Sequence, residues 1–431
     1  MNKKKEIFPP LRFRGYKSKW IIDGFDFEFL QTNSFSRAEM DEKKGSVKNI
    51  HYGDILTRYN DILRDISVVP FINKNINLSK FREESYLKNG DIVIADTAED
   101  FTAGKAVEVL NVDFPVLAGQ HTFLCRPKIN FAPGFIGYYL NSPAYHNILI
   151  PLLTGTKVYS ISKANIKNTF ILYPENYEEQ QKIADCLSSI DELIDAESRK
   201  LKALEKYKKG LMQKLFPAEG KTLPEWRFPE FQDFEEWETV KLEKLALYRR
   251  GSFPQPYGLP EWYDEKNGMP FIQVFDVDDN MKLKSNTKNK ISELAAQQSV
   301  FIPKGTLIIT IQGSIGRVAI TQYDAYIDRT LLLFEKFFRK IDKTFLAYNL
   351  QLLFDIEKQK APGGIIKTIT KQALSEFLTS IPQIEEQEKI AGCLSEIDTI
   401  ITEQSNKVER LKAHKKGLMQ GLFPSLEEAD V

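Results

Sequence analysis

The side chains best suited to chemistry are arginines, glutamines, asparagines and serines gathered on turn-rich loops. Arg249-Arg250-Gly251-Ser252-Phe253-Pro254-Gln255-Pro256 mixes guanidinium forks, a hydroxyl and an amide. Gln312, Ser314 and Arg317 form a second such loop after an apolar run. Nearer the start, Ser34 with Arg37, and then Lys48, Asn49, His51 and Tyr52, repeat the composition. Such side chains read base edges in DNA grooves, while lysines and backbone amides hold phosphates. Lys157 with Tyr159, and Lys367 with Thr368, follow glycines on loops that suit phosphates. Polar surface loops without a ligand have the same composition, so no loop identifies a partner by itself.

Catalytic spacings are missing. There is no P-loop, no GxGxxG after a strand, no HExxH, and no Asn-Pro-Pro-aromatic tetrapeptide of an adenine methyltransferase. Glu178-Glu179 with Lys182 could resemble nuclease ligands, but they open a helix and read as its solvated face. Lysine plus arginine equal aspartate plus glutamate at 59 each, so net charge announces no nucleic-acid partner. Three cysteines (Cys125, Cys186, Cys393) have no metal-ligand spacing and are too few for a disulfide framework. With no apolar leader or membrane-length run, the expectation is a binding protein of the cytoplasm, without metal, catalytic residues or membrane contact.

The elements that must position these loops are dominated by a duplication. Glu178–Pro217 returns as Glu385–Pro424, with 24 of 40 aligned residues identical. Apolar residues step in a four-three rhythm through Ile183, Leu187, Ile190, Ile194, Leu201, Leu204, Leu211 and Leu215, and again through the second copy. That is a coiled-coil seam, with Glu197 and Lys208 in two of its places. Each copy is acidic in its first half and basic in its second, which complements its own macrodipole. Laid antiparallel, acid faces base, so the expectation is an intramolecular antiparallel pair. The alternative is that each helix packs separately on its own domain or on another chain.

Between the helices lie two related globules of mixed strands and short helices. In the first, ISVVPFI (66–72), DIVIADT (91–97), HTFLCRP (121–127) and FILYP (170–174) read as strands. The second replays it more weakly: Arg12-Phe13 echoes as Arg227-Phe228, Pro70-Phe71-Ile72 as Pro270-Phe271-Ile272, and Gly90–Ile94 as Gly305–Ile309. Thr122 and Leu124 echo as Thr330 and Leu332, and Gly155–Lys163 as Gly363–Lys371. The fold class is α+β: two mixed globules, 1–174 and 218–382, alternating with two long helices, 175–217 and 383–424, and a tail, 425–431. An antiparallel pairing would relate the globules by a pseudo-two-fold.

The run EQ-x-KIA-x-CL-x-x-ID followed by KKGLMQ-x-LFP, duplicated, resembles the specificity subunits of type I restriction–modification systems. GSFPQP, MPFIQVFDV and GTLIITIQGSIGRVAI fit a common pattern of their target-recognition domains, whereas NSFSRAEM and NIHYGDI look like another subtype. The resemblance implies a non-catalytic subunit that reads double-stranded DNA at an asymmetric bipartite site. It implies two methyltransferase subunits bringing S-adenosylmethionine to adenine N6, and two restriction/translocase subunits bringing ATP and Mg²⁺. From another class, the same architecture would serve a coiled-coil scaffold whose heads bind proteins or glycans.

Overall fold

The structure, a computed structural model, describes residues 7–360, 369 and 371–425. It divides into two compact units that do not follow chain order: Met1–Arg199 with Asn406–Val431, and Lys200–Ser405. Each unit takes the start of one long helix and the end of the other.

In the first unit an antiparallel ribbon joins Trp20–Gly24 to Phe170–Pro174. A five-stranded sheet runs Phe27–Leu30, Thr122–Pro127, Asp91–Ala95, Ala106–Val109, Ile62–Leu63. Asp91–Ala95 is buried on both faces, which is why it reads as an unbroken apolar run rather than an alternation. A second sheet runs Val116–Ala118, Lys48–Ile50, Phe71–Ile72, Met40–Asp41, its first two strands parallel. The second unit repeats the plan. Its ribbon joins Glu238–Lys241 to Leu378–Ile381. Its sheets run Ala246–Arg250, Leu331–Phe337, Leu307–Thr310, Val318–Ile320 and Asn289–Ile291, Met269–Ile272, Ala325–Ile327, Val300–Ile302. Here the parallel pair is Met269–Ile272 with Ala325–Ile327. Gly90 and Gly305 open the equivalent central strands at φ +85° and +83°, a left-handed turn that glycine adopts without strain.

Topology corrects two of the echoes. Phe271-Ile272 lies on the strand equivalent to Lys48–Ile50, because each is the parallel partner of the later strand; Phe71-Ile72 takes the place of Asn289–Ile291. Pairing to the central strand also matches Leu124 with Leu333 rather than Leu332, since Leu124 faces Val93 and Leu333 faces Ile308. The echo at Gly363–Lys371 lies largely outside the described residues. ISVVPFI is not one strand: Ile66–Val68 is a short 3-10 helix and only Phe71–Ile72 pairs. The reason is Lys48, whose Nζ donates to the carbonyls of Ile66, Ser67 and Val69 at 2.8, 2.9 and 2.9 Å and turns them inward.

The long helices are Tyr177–Leu215 and Ile384–Leu422, 39 residues each, or roughly 58 Å. The Glu179 amide donates to Asn176 Oδ1 at 2.9 Å, capping the first. Glu179 corrects the solvated-face expectation: it is fully buried, and Arg12 donates to both its oxygens at 2.7 and 2.8 Å. Glu386 is buried in the same way by Arg227, at 2.8 and 2.7 Å. Glu178 and Lys182 stay exposed.

Within each unit the helix segments run antiparallel, as the charge gradient requires. In the first, Lys415 Nζ lies 2.6 Å from Asp191 and Lys407 Nζ 2.5 Å from Glu197. In the second, Lys208 Nζ lies 2.6 Å from Asp398. A tyrosine from each globule completes the junction: Tyr138 donates to Asp191 at 2.8 Å, and Tyr348 to Asp398 at 2.6 Å. Each lysine also sits over that tyrosine's ring, at 5.2 and 5.1 Å. The cores repeat the division, with Ile183, Ala184, Leu187, Met419, Leu422 and Phe423 in one and Ile390, Ala391, Leu394, Met212, Leu215 and Phe216 in the other. No described helix is long and apolar enough to cross a membrane.

Candidate nucleic-acid interface

Two adjacent parallel strands end on the same sheet edge, so the loops that follow them are forced together. In the first unit these are His51–Asp54 and Gly119–His121, joined where Gly119 N donates to Ile50 O at 2.8 Å. In the second they are Gln273–Asp276 and Asp328–Thr330, joined where Asp328 N donates to Ile272 O at 3.0 Å. The strand that precedes each pair adds a third loop: Asn33 N donates to Ala118 O at 2.9 Å, and Ser252 N to Ile327 O at 3.1 Å. A Cβ on Gly251 would collide with the carbonyl oxygens of Ile327 and Asp328, so this approach needs glycine.

The first unit builds its edge from rings and committed charges. His51 caps the helix Tyr52–Thr57, its Nδ1 accepting from Gly53 N at 3.2 Å. Burial pulls its pKa down, favouring the neutral ring that can accept. Tyr52 lies 4.5 Å from the His51 ring and 5.4 Å from that of His121. Arg37 is exposed but engaged with Asp54 at 2.5 Å and Glu42 at 2.8 Å. Lys48 and Asn49 must be withdrawn as DNA contacts. Lys48 is buried on its three carbonyls and 4.4 Å over the Phe71 ring, while Asn49 is fully buried and accepts from Asn33 Nδ2 at 2.7 Å. Ser34 and Lys157 are exposed, and Tyr159 packs on exposed Phe101 at 4.5 Å.

In the second unit Arg250, Gln255, Gln312 and Ser314 are exposed. Arg249 pairs with Glu335 on the neighbouring strand, and Ser252 Oγ donates to Gln298 O at 3.1 Å. Arg317 is a clamp between loops, donating to Val277 O at 3.0 Å and pairing with Asp279 at 2.7 Å. Lys367 and Thr368 lie outside the described residues. The sequence reading missed Phe275, which is 39% exposed with Lys288 Nζ 5.0 Å over its ring, and Arg329, exposed beside Tyr257. It also missed Gln120 and His121, the first unit's counterparts of Arg329 and Thr330. Their place directly before the strands Thr122–Pro127 and Leu331–Phe337 was the available clue. Among the described residues no cluster of histidine, cysteine and carboxylates is arranged to hold a metal.

A family model for the type I restriction modification DNA specificity domain matches residues 33–206 and again 234–410. The chain belongs to that family and is a specificity subunit with two tandem recognition domains. It is 27% identical over 372 residues to the putative type I restriction enzyme MjaX specificity subunit of Methanocaldococcus jannaschii, covering 83% of each. To the MjaVIII specificity subunit of the same organism it is 28% identical over 288 residues, 62% of this chain and 64% of that one. The fold is shared with the type I restriction-modification S subunit from M. genitalium, at TM-score 0.59 and 16% identity over 97% and 99% of the two chains. A chain from a structure of type I restriction-modification assembly gives TM-score 0.58 at 19% identity, covering 94% and 98%.

Proposed function

We propose that this subunit reads double-stranded DNA at an asymmetric, bipartite target, one half-site per unit. The observation that carries this reading is that both units hold three loops on one frame of parallel strands yet fill the frame with different side chains. Rings and histidines line one edge; arginine, glutamine and phenylalanine line the other. Two copies of one frame reading different bases make an asymmetric site. The subunit has no chemistry of its own in this scheme. Two methyltransferase subunits supply S-adenosylmethionine and methylate adenine N6, and two restriction/translocase subunits supply ATP and Mg²⁺. Equivalent helix positions Leu193 and Ile400, 41% and 47% exposed, support matched docking faces for two like partners.

The test is to map methylated adenines in cells carrying the partner subunits with the native chain, with no chain, or with Arg250, Gln255 and Gln312 changed to alanine. The triple variant is expected to relax one half of the recognised sequence, lose about 10- to 100-fold in affinity for the original site, and leave the other half intact. A changed first half, or an unchanged site throughout, would count against the reading. DNA binding by the native complex must also weaken steeply with salt; a scaffold for proteins or glycans would show no such binding.

A further inference from the structure

We propose that Arg329 reads a guanine in the half-site of the second unit. This rests on the DNA-reading function proposed above and names one of its contacts. Arg329 follows the parallel strand Ala325–Ile327, where the loop edge begins. Its neighbour Asp328 is only 2% exposed and is fixed from several sides: its amide donates to Ile272 O, one carboxylate oxygen accepts from Thr330 N at 2.9 Å, and the other accepts the Tyr257 hydroxyl. Tyr257 is thereby anchored, with its ring also 4.9 Å from that of Phe253. The Arg329 guanidinium lies 5.1 Å over the Tyr257 ring. Such a contact restrains the guanidinium without using any of its five N–H donors.

Free donors distinguish Arg329 from Arg249 and Arg317, and the anchored ring distinguishes it from Arg250, which also makes no ion pair among the described residues. Arg249 and Arg317 direct their donors at carboxylates, as Arg37 does in the first unit. Arg329 makes no ion pair among the described residues. Beside it opens a crevice of about 220 Å³ lined by Tyr257, Gln273, Phe275 and Thr330. The next crevice, across Phe275, sets Asp278 and Asp279 beside Lys284 and Arg317, so its charges balance. The crevice beside Arg329 is itself lined by Asp328, whose carboxylate disfavours a phosphate there. A neutral base edge is repelled far less by that carboxylate, and the aromatic wall of Tyr257 and Phe275 suits it. Guanine is the base that presents two acceptors, O6 and N7, to a guanidinium fork in the major groove. In the first unit the same backbone position holds Gln120, whose amide matches the donor and acceptor of adenine instead.

The test is selection from a library randomised over both half-sites, using the native complex with its methyltransferase partners. The native complex is expected to require guanine at one position of the second half-site. Arg329→Ala should remove that preference alone, lowering affinity for the best site about 10- to 100-fold. Arg329→Gln should shift the same position toward adenine. Two outcomes overturn the proposal: an unchanged preference at every position in both variants, or uniform weakening on all sequences with a shallower salt dependence, which is the behaviour of a phosphate contact. If the native complex selects a bipartite site with no guanine in its second half, the proposal fails while the DNA-reading function stands. If it selects no sequence at all, both fail.

Discussion

In the first unit Lys415 bridges Asp191 under the hydroxyl of Tyr138; in the second, Lys208 bridges Asp398 under that of Tyr348. Arg12 holds Glu179 as Arg227 holds Glu386. Leu11 N donates to Gly421 O at 2.8 Å, and Trp226 N to Lys214 O at 2.9 Å. At the loop edges little survives beyond the backbone and one buried aspartate, Asp54 against Asp276: His51 stands where Gln273 does, Gly53 where Phe275 does, Gln120 where Arg329 does. Two copies of one design have kept side-chain identity where globule meets helix and kept chiefly main-chain geometry where the loops gather. Buried charge junctions leave little room for change, since altering one partner strands the other. A loop resting on backbone hydrogen bonds tolerates any side chain that reaches outward.

The comparison breaks most readily at the buried ion pairs. Arg227→Ala leaves Glu386 uncompensated at 1% exposure, and Arg12→Ala leaves Glu179 at 0%. Each should cost about 3–5 kcal/mol in chemical unfolding. If either proved neutral, the junction would not be doing the same work in both units.

A second difference is one of pH. Glu108, on the first unit's strand Ala106–Val109, is pushed by burial up to about 7 from its ordinary 4.5, against the pull of the Gly134 and Gly137 amides. The equivalent residue of the second unit is Ile320, judged by pairing with Ile92 and Leu307. A carboxyl whose pKa is higher folded than unfolded stabilises fully below its unfolded value, and that stability is lost as pH rises through its folded value. Amide exchange in the first unit should therefore report a loss of ~3 kcal/mol between about pH 4.5 and 8. Glu108→Gln should flatten that slope. A slope of equal size in the second unit would show that the cause lies elsewhere.

The smallest effect sharpens the lysine junctions. Lys415 faces a second acid, Asp61, at 2.6 Å, and burial pushes the Asp61 carboxyl up even though Lys415 draws it down. Lys415→Met strands two carboxylates and Lys208→Met strands one, so the first should be the more destabilising by roughly 1–2 kcal/mol. Equal losses in thermal unfolding would deny Asp61 any part.

Much of the frame was legible in residue order. The acid-to-base gradient gave the antiparallel pairing, and the charged seam residues Glu197 and Lys208 proved to be bridge partners of Lys407 and Asp398. The Arg12 and Arg227 echo marked a real junction. The Pro-Phe-Ile echo misled because an identical tripeptide is weaker information than a strand's partner. Glu179 and Lys48 misled for a related reason: each is a charge buried by partners 167 and 18 to 21 residues away, and spacing along the chain does not show that. Arg329 stayed hidden because what sets it apart from other loop arginines is a ring 72 residues earlier.

The division of the two cores has a consequence for the order in which the chain is made. The second globule closes on Met212, Leu215 and Phe216, which leave the ribosome before it does. The first closes on Met419, Leu422 and Phe423, which are made long after it. The domain translated first is thus completed last. Until those residues emerge its core lacks one wall, so a nascent chain must shelter that apolar opening through some two hundred residues of further translation. Removing only the last turns of the helix Ile384–Leu422 would disable the first globule, some two hundred residues earlier in the chain.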